Sequence, residues 1–220
     1  MTESLGLFAK YWQPGEVKTR LGAAIGDRQA AAIYRQFVVA LVGRLSDCRT
    51  EKWLAYTPYE HQREFQQIVS NDWILELQAE GDLGDRMRAF FANRLASGSE
   101  RIVLLGSDSP QLPLESIEQA FEQLRRHQLV LGPSEDGGYW LIGVSGTLPS
   151  VFNDIPWGTP AVWEATVDRL RATNTSYGML PVCYDVDEQS DLERLIRDLH
   201  DQAGCDRHLD RLRESLITTD

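Results

Sequence analysis

Short apolar runs alternate along this chain with longer stretches whose apolar positions return every three or four residues. The runs at 4–9, 53–57, 73–77, 101–106, 129–132, 139–144 and 182–186 predict strands. Pro58 stops the second. The run Ile102-Val103-Leu104-Leu105 has no polar alternation and predicts a central strand covered on both faces. Helical spacing predicts helices over 26–45, 60–69, 83–95, 114–127, 160–172, 191–200 and 209–216. In the first, Ala30, Ile33, Tyr34, Phe37, Val38, Leu41 and Leu45 share a face, with Asp27 as cap or first-turn acid. In the third, Met87, Phe90, Phe91 and Leu95 point inward. Thr159 before Pro160 suits a cap followed by a first helical position.

Strands alternating with helices predict a mostly parallel, doubly wound α/β sheet, with ligands beyond the carboxyl ends of its strands. The 220 residues show no repeat and no Pro-, Gly- or Ser-rich linker, so one domain over 1–220 is expected. No apolar stretch is long enough for a bilayer, and the first residues do not read as a signal peptide. Cys48, Cys183 and Cys205 are too scattered for a disulfide framework or a metal knuckle, which fits a reducing cytoplasm. Neither a membrane nor an oligomeric state is implied.

Charge changes the picture locally. The net charge of −11 argues against nucleic acid as a partner. Yet residues 8–21 hold Lys10, Lys18 and Arg20 against one acid, Glu16. This loop, with Pro14-Gly15, leaves the first strand and could dock a polyphosphate, or its cations could simply be solvated. It lacks the Walker and dinucleotide-binding glycine patterns.

Three acidic motifs follow. In Gly106-Ser107-Asp108-Ser109-Pro110 an acid ends an apolar strand, where it could hold Mg²⁺ or Mn²⁺ against phosphate oxygens, or cap a turn. Gly132-Pro133-Ser134-Glu135-Asp136-Gly137-Gly138-Tyr139 is a hairpin turn, or a place where backbone approaches a ligand. In Tyr184-Asp185-Val186-Asp187, alternation puts both acids on one side of a strand, as metal partners for Asp108 or as a solvated end. Asp191 suits the first turn of the next helix.

Together these motifs, Phe8-Ala9-Lys10, Pro14-Gly15, Val17-Lys18-Thr19-Arg20-Leu21, Gly106-x-Asp108-x-Pro110, Gly132-Pro133, Asp136-Gly137-Gly138-Tyr139 and Asp185-x-Asp187 with Asp191-Leu192, resemble a known family. It is the bacterial GT-A-type glycosyltransferases associated with radical-SAM and selenodomain genes, some named for arsenosugar biosynthesis. That family is similar to the molybdenum-cofactor and phospholactate guanylyltransferases, and more distantly to sugar-nucleotide cytidylyltransferases. The resemblance implies a three-layer α/β/α nucleotide-diphospho-sugar transferase fold with a seven-stranded, mostly parallel mixed sheet. It implies a metal-dependent transfer from a nucleotide-sugar to a small-molecule acceptor, with Mg²⁺ or Mn²⁺ on Asp108 and Asp187. Lys10, Gly15, Lys18, Arg20 and Ser107 would bind the nucleotide, with Lys18, Asp108 and Asp136 catalytic. Gly137, Gly138, Tyr139 and Trp157 would line the acceptor side.

Two departures keep other reactions open. Glu188-Gln189-Ser190 replaces the Thr-Pro-Glu that follows the second acid in the cytidylyltransferases. A single acid at 106–108 is more typical of nucleotidyltransferases, which release pyrophosphate from a nucleoside triphosphate. A non-catalytic nucleotide-binding module is the third possibility.

Overall fold

The structure is a computed structural model and describes residues 2–217. Seven strands form one mixed sheet: β1 (Glu3–Lys10), β2 (Glu51–Thr57), β3 (Trp73–Leu77), β4 (Arg101–Leu105), β5 (Leu129–Pro133), β6 (Tyr139–Ser145) and β7 (Tyr177–Met179). Their order is β3-β2-β1-β4-β6-β5-β7, and β6 alone runs against its neighbours. The chain moves outward from β1 through β2 to β3, then returns to β4 on the other side of β1. Beyond the carboxyl ends of β1 and β4 lies the switch point where such sheets bind ligands.

Eight helices cover the sheet: α1 (Thr19–Ile25), α2 (Asp27–Leu45), α3 (Gln62–Gln66), α4 (Leu83–Ala96), α5 (Glu115–Gln123), α6 (Val162–Ala172), α7 (Gln189–Asp201) and α8 (Arg207–Ile217). Alternate residues of β4 serve opposite cores. Val103 and Leu105 pack with Phe37 and Leu41 of α2, Ile117 of α5 and Leu195 of α7. Ile102 and Leu104 pack with Phe90 and Phe91 of α4 and Leu170 of α6. All five β4 residues are buried, as an unbroken apolar run requires. α4 comes close because Gly6 lacks a side chain; a Cβ there would overlap the Phe90 ring.

Arg44, buried near the end of α2, holds two loops. Its Nε donates to Asp206 at 2.7 Å, and its NH1 donates to the carbonyls of Pro110 and Leu112 at 2.6 and 2.9 Å. The loop that follows β4 is therefore pinned to α2 and to the segment before α8.

The structure differs from the sequence expectation in five places. α5 ends at Gln123 rather than 127, where the Arg125 and Arg126 N–H groups bond to the Glu122 and Gln123 carbonyls and tighten the chain into turns. A short helix, α1, occupies part of what reads as an open loop before 26, so Arg20 is helical and Lys18 is the residue that caps it. Residues 60–69 form a single 3-10 turn and the five-residue α3 rather than one long helix. α6 begins at Val162, because Thr159 accepts from the Ala161 N–H and donates to the Pro156 carbonyl, closing a turn ahead of the helix. The last strand lies at Tyr177–Met179, not 182–186, where one bridge, Ser134 to Cys183, is formed. Cys48, Cys183 and Cys205 are free thiols. Among the described residues no helix is long and apolar enough to cross a membrane.

Candidate functional site

Three segments meet at the switch point: the loop after β1, the loop after β4, and residues 183–188 leading into α7. Lys18 carries a left-handed backbone, φ 48° and ψ 44°, which is costly for any residue with a Cβ. That turn directs its side chain inward, where it is only 2% exposed. Its ammonium pairs with Asp108 and, at 2.8 Å, with Asp187. Burial alone would lower the Lys18 pKa, but the two carboxylates more than reverse this and raise it. Arg20, the second residue of α1 and largely exposed, meets Asp187 at 3.0 Å and Glu188 at 3.3 Å.

The spacing of 108 and 187 in sequence thus closes to a shared point in space, with Lys18 on it. Asp108 remains open to the cleft, its side chain 46% exposed, while Asp187 is 29% exposed. Two convergent carboxylate oxygens with room on one side suit a hard divalent cation that takes its other ligands from phosphate and water. The donor set fits Mg²⁺ or Mn²⁺ on those terms only: among the described residues no group of three or more His, Cys, Asp or Glu side chains could hold a metal unaided.

Asp185 does not face the same way as Asp187, because no strand forms there. It turns under the site, accepting from Ser109 at 2.5 Å and from Ser134. Burial pushes its pKa up to about 6 against the pull of the two hydroxyls, with Asp108 and Asp136 adding to the rise. Asp191 behaves as a first-turn acid, receiving the N–H groups of Asp187 and Glu188 at 3.1 and 2.9 Å.

Other predicted residues are placed less directly. Lys10 folds back to the Glu16 carbonyl at 3.0 Å and its carboxylate at 3.4 Å. Gly15 supplies a positive φ of 79° in the same loop. Ser107 is buried, its hydroxyl 2.7 Å from that of Tyr34, which also takes the Lys10 N–H at 3.2 Å. Tyr34 therefore joins the carboxyl end of β1 to the loop after β4. Burial, with Asp108 nearby, pushes its hydroxyl up to about 12. The apolar spacing of α2 identified Tyr34 as core but could not show what its hydroxyl held. Gln78 is a second residue the pattern hid: its amide donates to the carbonyls of Ala9 and Ala55.

A cavity of about 260 Å³ lies beside Asp108, lined by Lys10, Ser107 and Gln78 and by Phe8, Met87 and Tyr139. Trp157 stands behind Tyr139, edge to face at 6.1 Å, outside the cavity wall. Asp136 is exposed and accepts from the Gly138 N–H at 2.9 Å, closing the turn. Gly137, at φ 90°, has no space for a Cβ against the Pro160 carbonyl. The two glycines thus satisfy turn geometry first. A larger hollow, about 940 Å³, opens at the amino ends of β1 and β2, far from these groups in the fold, between residues such as Glu3, Thr50 and Phe121.

Comparison with known proteins agrees with this architecture. The chain superimposes over its full length on 97% of a crystal structure from Desulfovibrio desulfuricans G20, a candidate nucleotide-diphospho-sugar transferase, with TM-score 0.90 and 31% identity. The fold is also that of a cytidylyltransferase from Leptospira borgpetersenii, with TM-score 0.61 over 99% of this chain and 94% of that one, at 12% identity. In sequence, 142 residues are 30% identical to the 3-phospho-D-glycerate guanylyltransferase of Phenylobacterium zucineum. That match takes in 60% of this chain and spans 62% of the relative's length. The fold is therefore the nucleotide-diphospho-sugar transferase fold, of transferase type. Residues 41–159 match the family model described as an uncharacterized protein conserved in bacteria (DUF2064), and the chain belongs to that family.

Proposed function

We propose that this chain is a metal-assisted transferase that takes a sugar from a nucleoside-diphosphate sugar and passes it to a small-molecule acceptor. The observation that carries this reading is the cluster of Lys18 and Arg20 against Asp108 and Asp187 at the β1–β4 switch point. Asp108 and Asp187 would hold Mg²⁺ or Mn²⁺, which when bound neutralises charge on the departing diphosphate. The chain's own part is to bring two cations to the same place. With the carboxylates engaged elsewhere, the Lys18 ammonium and the Arg20 guanidinium are free to bind phosphate oxygens, Lys18 as a point charge and Arg20 as a fork. Gly15 shapes the phosphate loop. Tyr34 and Ser107 fix the carboxyl end of β1 and the loop after β4 at a set separation, so the groups need little reorganisation. The acceptor would lie against Gly137, Gly138 and Tyr139, with Trp157 supporting Tyr139 and Asp136 as the base for its proton. The full-length likeness to the Desulfovibrio protein supports the transferase part of this reading.

A specific observation favours a second reading. The strand-end motif offers one acid, Asp108, and the relative from Phenylobacterium is a guanylyltransferase, so transfer of a nucleotidyl group to a small acceptor is the alternative. Products separate the two. Incubation with Mn²⁺, a panel of nucleotide-sugars and nucleoside triphosphates, and a panel of small hydroxyl, carboxylate and phosphate acceptors should yield free nucleoside diphosphate from a nucleotide-sugar, and Asp108→Ala should abolish it. Pyrophosphate from a triphosphate, with no diphosphate from any nucleotide-sugar, would replace sugar transfer by nucleotidyl transfer. Binding without either product would leave a non-catalytic module.

A further inference from the structure

Asp185 is a polar group that the proposed chemistry does not use. It lies two residues before Asp187, yet it faces away from the cleft into the joint beneath it. Its two oxygens each take one serine hydroxyl: Ser109 follows Asp108 directly, and Ser134 begins the turn that carries Asp136. Both serines are buried, at 2% and 7% exposure, so no solvent replaces these bonds. The backbone repeats the connection. Val186 N–H donates to the carbonyl of Asp108 itself at 2.9 Å, and Gln111 donates to the Tyr184 carbonyl at 2.7 Å. On the other side, Cys183 bonds to Pro133 and Glu135 through its N–H and carbonyl.

A carboxylate is the group that does this without remainder. It accepts twice and donates nothing, so both hydroxyls can point at it. An amide offers one acceptor oxygen and an NH₂ that can only donate, and one serine would have to turn over and find a new partner for its proton. A second negative charge close behind Asp108 opposes the charge already there, so packing alone does not explain it. It does add to the attraction for any cation held in front.

We propose that Asp185 is a positioning residue for the metal–nucleotide site: through Ser109 and Ser134 it sets Asp108 and Asp187 at the separation a divalent cation requires. This rests on the assignment of Asp108 and Asp187 as metal ligands. The effect is on geometry and field, not on contact with substrate. Asp185→Asn keeps the side-chain shape, so the protein should fold.

The test uses the whole chain with Mn²⁺ and GDP as probes, by calorimetric titration well below the melting temperature. Wild type, Asp108→Asn, Asp185→Asn and a Ser109→Ala/Ser134→Ala double variant are compared, with melting followed in parallel. Mn²⁺ affinity in the presence of GDP should fall at least tenfold in Asp185→Asn, with melting within a few degrees of wild type. The double variant, which leaves Asp185 in place but unconnected, should fall in the same direction, and it decides the matter by the same criterion if Asp185→Asn does not fold. A lower melting temperature with unchanged Mn²⁺ affinity would show a merely structural role and overturn the inference. Equal affinities for wild type and Asp108→Asn would remove the metal assignment and this inference with it. Loss in Asp108→Asn but none in Asp185→Asn would overturn this inference alone.

Discussion

Lys18 takes two partners that the proposed chemistry needs for something else. Its ammonium occupies the point on which Asp108 and Asp187 converge. A cation arriving without nucleotide must displace it, and a buried ammonium deprived of both carboxylates is costly. On the proposed reading, with nucleotide present the displaced ammonium would gain phosphate oxygens instead. Lys18→Ala should therefore have effects of opposite sign: tighter Mn²⁺ binding without nucleotide, and weaker binding of nucleoside diphosphate with it. A charge-assisted hydrogen bond is worth about 1.5–3 kcal/mol, so the nucleotide loss should be on the order of tenfold to a hundredfold. Titration of Mn²⁺ alone and of GDP with saturating Mn²⁺ gives both numbers. Mn²⁺ binding that is unchanged or weaker in the variant would mean that Lys18 and the metal do not share a place. The residue types of this site were legible in the sequence, since lysine, arginine and two aspartates stood at loop positions beyond apolar runs. Their pairing was not. Nothing local to 18 indicates that its backbone is left-handed, and that single turn decides that Lys18 faces inward while Arg20 stays at the surface.

At the scale of elements, β4, β5 and β6, buried along nearly their whole length, coincide with their apolar runs to within a residue, because no alternative partner competes for such runs. β3 matches its run as well, although it is an edge strand with Ile74 and Leu77 exposed. The exchange of the last strand has the opposite cause. Val182-Cys183-Tyr184 looks like a strand, but its buried groups are satisfied by loops and side chains, while the more polar Tyr177–Met179 needs only to extend the sheet edge beside β5. The same kind of long-range satisfaction makes Arg44 matter. No helical periodicity shows that a charged residue near the end of α2 will be buried against Asp206 and two carbonyls 66 and 68 residues away. Burial works against the Asp206 carboxylate, but its bond to Arg44 prevails and its pKa is lowered. Its contribution is therefore present above the ordinary value of 3.8 and is lost as pH falls through the depressed one. Arg44→Ala should cost about 3 kcal/mol at neutral pH, the scale for breaking a buried pair. For a chain of this size that is a fall in Tm of roughly 6–12 °C. Denaturant titration at neutral pH checks it. A change under about 1 kcal/mol, within the range of an exposed ion pair, would mean that the Arg44 contacts are replaceable by water.

The whole molecule carries a net charge of −11, and its switch-point site gathers acids and bases in one place. A polyphosphate approaching alone meets an adverse field and finds Lys18 already committed to carboxylates. A divalent cation approaching alone is drawn by the field but must displace the same ammonium. On the proposed reading each ligand would remove the other's obstacle: Asp108 and Asp187 would hold the cation, which frees the Lys18 ammonium, and Lys18 would then bind phosphate oxygens. Coupling of this kind is reciprocal, since each ligand must raise the other's affinity by the same factor. It should appear as a thermal shift larger than the sum of its parts. Mn²⁺ alone and GDP alone should each move Tm slightly. The pair, at about a hundred times the joint dissociation constant, should stabilise by about 2.7 kcal/mol. At roughly 2–4 °C per kcal/mol for this length, the combined shift is about 5–10 °C. Asp108→Asn should reduce it to the sum of the separate effects, because the variant weakens both the cation site and the hold on Lys18. Simple additivity in wild type would show that metal and nucleotide bind independently. A more-than-additive shift that persists in Asp108→Asn would move the coupling away from Asp108, and with it the chemistry assigned to this end of the sheet.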